Sequence, residues 1–168
     1  MRRLGLLLVL AVGATAMAAL FASGGAAQKT DTTLTFVERG GTFRLIDNAP
    51  KSPTGPRQEP RLSAGDVLTI STPLYDGGDT RIGRLDAVCV ATRGARFERA
   101  TFICTGSFAL PEGTLALNVS GRFPENAPVV GAVLGGTGAY EGARGSFTST
   151  PRPGTDGDVS DDVVHLVS

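Results

Sequence analysis

Apolar and polar residues alternate in short runs along most of the chain, and turn-forming residues separate the runs. An early run, Thr33–Val37, continues as Thr42–Ile46 beyond the pair Gly40-Gly41. Later runs predict strands at approximately Asp66–Tyr75, Arg81–Thr92, Phe97–Ala109, Thr114–Arg122, Val129–Leu134, Ser146–Thr150 and Val159–Val167. No amphipathic helix accompanies them, and the connections are too short for crossover helices. The pattern therefore predicts about eight antiparallel strands.

Eight short antiparallel strands without helices predict an all-β protein with a closed barrel. Closure removes the exposed sheet edges, and a barrel of eight strands leaves room inside for about one small ligand. Several strands, such as Leu85–Ala91, are apolar on both faces. Either other subunits cover the outside of the barrel, or the alternation is loose.

The first residues have the features of a signal peptide. Arg2 and Arg3 precede an uncharged apolar stretch, Leu4–Ala22, and the small residues Ser23–Ala27 follow it. A retained membrane anchor is the alternative, because the stretch is almost long enough to span a bilayer. We expect a cleaved signal peptide at 1–27, a barrel domain at 28–168, no further membrane segment, and a secreted or extracytoplasmic protein.

A proline-rich segment separates the first strand from the rest of the barrel. Residues 47–63 include four prolines, which remove ladder donors and exclude a sheet strand: Pro50, Pro53, Pro56 and Pro60. A loop of this length inside a compact domain is functional or disordered in most proteins.

The charge of the chain does not favour nucleic acid as a partner. Its 168 residues include 16 basic and 16 acidic side chains, and aromatic residues make up only 6%. Removing residues 1–27 takes Arg2 and Arg3 away and leaves a small negative net charge without a basic stripe.

The two cysteines predict a disulfide. If the hairpin turns near Arg96 and Phe97, then Cys89 and Cys104 lie opposite each other on neighbouring strands, close enough to be bridged. Disulfides are typical of exported proteins. The alternative is a free thiol at Cys89.

Little in the sequence indicates a metal or a cofactor. His165 is the single histidine and shares a strand face with Val163 and Val167, so we expect it in the core or at an interface. We expect no metal site and no cofactor. Four aspartates near the C-terminus predict an exposed charged turn: Asp156, Asp158, Asp161 and Asp162.

A glycine-rich run, Leu134–Gly145, contains five glycines in twelve residues. It lacks the Gly-Lys-Ser/Thr of a phosphate-binding loop, and Glu141 occupies the third glycine position of a dinucleotide fingerprint. The run therefore predicts a tight barrel turn built on Gly135, Gly136 and Gly138.

This run resembles the closing motif of plant dirigent proteins and of allene oxide cyclases. Segments in the same order lie upstream: Gly65–Leu68, Thr72–Asp76, Ile82-Gly83 and Val88–Val90. Secreted bacterial members of the family are more similar still, with a second cysteine, a turn like Leu110–Gly113 and a final His-Leu. The resemblance covers residues 65–168 and implies an eight-stranded barrel of the calycin-like type, which is a homotrimer in the plant relatives.

The resemblance also implies candidate site residues. A glutamate on the first strand of the plant cyclase corresponds to Thr35 without a gap and to Glu38 with one. Thr72 stands where the cyclase has a cavity asparagine, and Cys89 where it has a cavity cysteine. Ile82–Arg84 resembles the Val-Gly-Arg step of dirigent proteins and adds Arg84 as a pocket candidate. Glu38 and Cys89 are the catalytic candidates.

These observations predict an exported, cofactor-free barrel that binds a small apolar molecule and guides its cyclisation or coupling. If it is an enzyme, the resemblance implies an isomerase of the cyclase type. The alternative is a non-catalytic secreted binding or structural barrel, which a Cys89–Cys104 bridge favours. A third hypothesis assigns recognition to the loop 47–63.

Overall fold

The computed structural model describes residues 31–48, 50–51, 61–124, 126–155 and 157–167. The predicted signal peptide and residues 52–60 of the proline-rich segment lie outside the described residues. The strands are β1 Asp31–Arg39, β2 Thr42–Ile46, β3 Val67–Tyr75, β4 Arg81–Arg93, β5 Thr101–Leu110, β6 Gly113–Gly121, β7 Val129–Gly136, β8 Arg144–Pro151 and β9 Val159–Val167. In these ranges the helical elements are two single 3-10 turns, Phe97–Arg99 and Gly138–Tyr140, and no helix is long and apolar enough to cross a membrane.

The strands form a closed antiparallel barrel, as the sequence predicted. Their order is β1-β9-β8-β7-β6-β5-β4-β3-β2, and β1 closes the ring by pairing Glu38 with Leu74 of β3. β2 continues β1 beyond a bend at Gly40-Gly41 and pairs with the first half of β3. A Cβ atom on Gly41 would run into the side chain of Thr72, so the bend requires glycine at that position. Together β1 and β2 occupy one of the eight strand positions around the barrel.

Strand bounds agree with the predicted ones within a few residues, with one difference before β5. Phe97 was predicted to begin that strand, but it begins a 3-10 turn, and β5 starts at Thr101. The turn closes with a hydrogen bond from the Arg99 amide to the Arg96 carbonyl (2.9 Å). The Phe97 ring packs on Phe102 at 5.5 Å between centroids, which explains why the chain folds back here.

The glycine-rich run ends β7 and turns into β8. Gly135 and Gly136 are the last residues of β7, and Gly138 begins the 3-10 turn with a φ of 62°. A Cβ atom on Gly138 would collide with the backbone oxygen of Glu112, which also accepts the Ala139 amide hydrogen bond (2.9 Å). The run thus packs against the β5–β6 hairpin at one end of the barrel.

The same end of the barrel is filled by core side chains. Phe108 packs edge-on against Phe36 at 5.0 Å and against Phe147 at 5.6 Å, measured between ring centroids. Four inward side chains are fully buried: Leu74, Phe108, Leu115 and Val164. Because this end is packed, the interior space that the described residues leave for a ligand lies toward the other end, where β3, β5, β7 and β9 begin.

Candidate functional site

A cavity of about 330 Å³ occupies the less densely filled end of the barrel. Its volume lies at the lower limit of small-molecule pockets, so it accommodates one compact ligand. Most of the wall is apolar, with inward side chains from β3 to β8: Leu68, Ile70, Leu85, Ala87, Leu117, Val119, Val129 and Phe147. These positions alternate with outward residues along each strand, as the barrel requires.

Aromatic rings surround the cavity mouth. Phe43 of β2, Phe97 of the 3-10 turn and Phe123 after β6 all border the opening. Phe123 stacks on the buried ring of Phe102 at 5.3 Å, whereas Phe43 is 61% exposed. The mouth therefore has two rings that pack on Phe102, Phe97 and Phe123, and a third, Phe43, that a ligand can reach from solvent.

A second, more open concavity of about 530 Å³ lies on the outer face of β2–β5. It contains an exposed network in which Asp86 accepts hydrogen bonds from Ser71 Oγ (2.7 Å) and Arg84 Nε (2.7 Å). These groups already satisfy one another and are solvated. We take the internal cavity as the candidate site, because its walls are apolar and it contains a buried ionisable group without such partners.

That group is a pair of carboxyls, Glu38 of β1 and Asp162 of β9. Asp162 lies opposite Phe36 in the β1–β9 ladder, and Glu38 lies opposite Ser160, so both carboxyls are on the inner face. Glu38 lines the cavity, and Asp162 is 1% exposed just behind it. Among the described residues, neither Asp162 oxygen has a hydrogen-bond partner of good geometry, although Ser149 faces it from β8.

Burial raises the pKa values of both carboxyls. For Glu38 the burial effect outweighs the opposing effect of the Asp162 carboxyl beside it. For Asp162, burial and the neighbouring Glu38 carboxyl raise the pKa to about 9. Two buried carboxylates in contact cannot both ionise at neutral pH, so the pair retains a proton, and that proton can bridge the two groups.

Two arginines adjoin this pair along the chain or through its neighbour Asp161, and both bind other groups. Arg39, next to Glu38, forms an ion pair with Asp79 (2.7 Å) and lies 3.9 Å above the centre of the Tyr75 ring. Arg152 binds Asp161, next to Asp162, with contacts of 2.6 and 2.9 Å. Both arginines are thus engaged on the outside of the barrel.

The opposite wall contains a disulfide. Cys89 of β4 and Cys104 of β5 are direct partners in the ladder and are bonded to each other, as predicted. Both residues line the cavity, and Cys89 is 1% exposed. Cys89 therefore has no free thiol in this structure, which is the state that the non-catalytic alternative anticipated.

The other candidates from the sequence lie apart from the cavity. Thr35 is exposed on the outer face of β1, since Phe36 and Glu38 take the inward positions. Arg84 is exposed on β4 and binds Asp86. Thr72 points inward and is 3% exposed, but it packs beside Gly41 and its hydroxyl has no partner. Of the five candidates, Glu38 and Cys89 line the cavity.

Asp162 was missed by the sequence analysis, which placed it in an exposed charged turn. That expectation is wrong for Asp162, because β9 starts at Val159 and its alternation turns Asp162 inward with Val164 and Leu166. The available signal was this shared parity with two apolar residues. Within the described residues, no three His, Cys, Asp or Glu side chains are grouped so as to hold a metal ion.

Asp66, just before β3, connects both ends of the proline-rich segment to the barrel at the open end of the cavity. Its carboxylate accepts hydrogen bonds from the backbone amides of Asn48 and Ser63, each at 2.8 Å. Burial opposes ionisation of Asp66, but these hydrogen bonds prevail and lower its pKa. Both ends of the proline-rich segment are therefore attached to the barrel beside the cavity.

Comparison with known proteins identifies the fold. No family model matches the chain. One curated protein, the large ribosomal subunit protein bL19 of Helicobacter hepaticus, is 32% identical over 56 residues. That match covers 33% of this chain and 48% of bL19, so the chain spans about half the length of this relative.

Solved structures match over most of the chain. A pyocyanin demethylase aligns with a TM-score of 0.61 at 20% identity, over 82% of this chain and 99% of that one. The pterocarpan synthase dirigent protein GePTS1 gives 0.58 at 16%, over 83% and 91%. The Diels–Alderase AbmU from Streptomyces koyangensis gives 0.60 at 14%, over 85% and 70%. The predicted resemblance is thus confirmed for the fold, which this chain shares with dirigent and cyclase barrels.

Proposed function

From a barrel of the dirigent and cyclase type with an apolar interior, we propose that this chain binds one small, largely apolar molecule and guides its cyclisation or coupling. The observation that carries the proposal is the 330 Å³ cavity whose apolar wall is interrupted by the carboxyl of Glu38. A related fold hosts a Diels–Alderase and a pterocarpan synthase dirigent protein, which supports a role in controlling ring formation. The chain works without a cofactor in this proposal.

In this proposal, the main contribution of the barrel to the reaction is to confine the bound molecule. A molecule that fits this volume loses most of its alternative conformations on binding, so the entropy cost of bringing two reacting ends together is met during binding. The proton retained by Glu38 and Asp162 adds a donor for an oxygen that gains negative charge during ring opening or closure. Glu38 is the catalytic candidate, because it lines the cavity and donates when the shared proton is on its own carboxyl, while Asp162 behind it then carries the negative charge.

The test is stereochemical. The purified protein is added to a reactive fatty-acid epoxide that cyclises spontaneously, and separately to phenoxy radicals generated by an oxidase, and product enantiomers are separated by chiral chromatography. An enantiomeric excess that requires the protein supports the proposal. Ala87→Leu, which enlarges a side chain in the cavity wall, is expected to abolish the excess. The same exchange on the outer face, Ala116→Leu, is the matched control. Racemic products together with the absence of a retained apolar ligand would contradict the proposal.

The second candidate function is a secreted binding barrel without chemistry. The Cys89–Cys104 disulfide favours it, because a bonded Cys89 cannot supply the thiol that the cyclase resemblance implies. Native mass spectrometry of the protein purified from its own host separates the candidates. A retained ligand that is recovered unchanged after incubation favours the binder.

Export and assembly complete the proposal. We expect removal of residues 1–27, and the disulfide fits an oxidising compartment. We also expect a homotrimer, as the resemblance to the plant relatives implies, and an apolar row on the outer face of β4 and β5 that is 41–48% exposed supports a subunit interface there: Val88, Val90 and Ile103. Mass analysis of the extracellular protein tests the first expectation. Sedimentation of the wild type and of Val90→Lys tests the second.

A further inference from the structure

The inward polar side chains of the cavity are concentrated on one side of the barrel. Glu38 of β1, Ser149 of β8, and Ser160 and Asp162 of β9 occupy neighbouring positions, since Asp162 pairs with Ser149 and Ser160 pairs with Glu38. The strands on the far side of the ring, β4 and β5, contribute the disulfide, mainly apolar side chains and the uncharged Thr105. A ligand therefore meets both inward carboxyls at one wall of the cavity.

This wall carries a negative charge when the carboxyl pair holds a single proton. The inward residues next to the pair in the described ladders are uncharged: Phe36 on β1, Leu74 on β3, Ser149 and Pro151 on β8, and Ser160 and Val164 on β9. The charged side chains adjoining it, Arg39 and Asp161, are held on the outside by Asp79 and Arg152. An anion in an apolar wall without a facing cation is costly, and a cation from outside relieves that cost.

Aromatic rings of the same cavity add a second cation-recognising element. Phe147 lies in the wall, and Phe97 and Phe123 border the opening. The faces of phenyl rings attract organic cations, and the attraction grows when water is excluded. A carboxylate on one wall and rings around the remaining space form the arrangement that recognises an ammonium or an N-alkylated heteroaromatic ring.

We propose that the preferred ligand of this cavity carries one permanent or readily protonated nitrogen cation on an apolar body, with the charge placed against Glu38. This inference rests on the proposed function, because it uses the same cavity as the ligand site. It adds that the ligand is selected by charge, and that the carboxyl pair distinguishes a cation from a neutral molecule of equal shape.

The experiment compares two isosteric probes by protein-observed NMR titration of the full chain at neutral pH. Benzyltrimethylammonium carries a permanent charge, so any pH dependence of its binding reports on the protein. Neopentylbenzene has the same shape without charge. We expect the cation to bind about tenfold or more tightly than the neutral probe. Its affinity should fall as the pH is lowered and the pair becomes fully protonated, whereas the neutral probe should bind equally throughout.

Two variants test whether Glu38 causes the preference for the cationic probe. Glu38→Gln is expected to remove the preference, because the remaining Asp162 stays protonated in its buried position. Glu112→Gln removes an exposed negative charge at the packed end of the barrel and is the control that keeps the preference. Equal binding of both probes, or an unchanged preference in Glu38→Gln, overturns the inference and leaves the cavity as a ligand site. Failure of both probes to bind overturns the inference and the proposed ligand site together.

Discussion

Asp162 lies behind Glu38 inside the barrel, and neither of its carboxylate oxygens makes a good hydrogen bond to another described residue. The relationship makes the protonation state of one buried side chain depend on that of its neighbour. It also gives the stability of the barrel a pH dependence whose direction is fixed.

Asp162→Asn is expected to stabilise the protein above neutral pH. The pKa of Asp162 is raised in the folded state to about 9, so its contribution to stability is complete below the unfolded value of 3.8 and is lost as the pH rises toward 9. Asparagine does not ionise, and the variant should gain about 1–3 kcal/mol of unfolding free energy at pH 8. Urea unfolding between pH 4 and pH 9 measures the difference. The exposed Asp158→Asn is the control, and parallel curves for the wild type and Asp162→Asn would contradict the prediction.

Asp66→Asn is expected to act in the opposite direction. The pKa of Asp66 is lowered in the folded state, so its stabilising effect is present above the unfolded value of 3.8 and is lost as the pH falls through the folded value. Asparagine loses the charge and one acceptor, at a cost of about 1–3 kcal/mol near neutral pH. Thermal or urea unfolding at pH 7 should show this loss, and the two proteins should converge in strong acid. An equal difference at both pH values would show that charge is not the cause.

Removing the disulfide should lower stability without changing the strand order. Cys89 and Cys104 are separated by 15 residues, and closing a loop of that length is worth about 3 kcal/mol in the unfolded chain. Cys89→Ala/Cys104→Ala should therefore shift the urea midpoint down, and reduction of the wild type should reproduce the shift. Thiol trapping with intact-mass analysis before and after reduction checks the bond itself. Thiols that react without a reductant would contradict it.

The packed end of the barrel should be far more sensitive to truncation than the mouth. Phe108 is fully buried between Phe36 and Phe147, and Phe108→Ala should cost about 3–5 kcal/mol of unfolding free energy. Phe43 borders the cavity but is 61% exposed, so Phe43→Ala should cost less than about 1 kcal/mol. Denaturant unfolding of both variants under one condition measures the two losses of unfolding free energy. Similar losses for both variants would contradict the prediction that the core lies at the packed end.

Much of the fold could be predicted because strand alternation and turn residues act locally. The disulfide followed from hairpin register, and the glycine-rich turn followed from the need for close backbone approach, as at Gly138 over Glu112. Phe97 was misassigned because its place is decided by packing on Phe102, a contact that forms only after the hairpin has folded.

The site was harder to predict because it depends on long-range pairing. The sequence left Thr35 and Glu38 as alternative matches on the first strand, and the inward position of Glu38 depends on the register of β1 with β9. Asp162 belonged to an acidic run, and composition alone favours solvent exposure for such a run. Its partner is 124 positions away in the sequence, a distance over which no local pattern carries information.

The disulfide and the carboxyl pair lie on strands that face each other across the barrel. One wall of the interior is consequently acidic and the other is not, so a flat molecule with one polar end takes a preferred direction across the cavity. The packed floor and the chiral wall of the barrel then make the two faces of that molecule inequivalent. A barrel of this kind can impose handedness on a product without any side chain touching the carbon at which the new stereocentre forms.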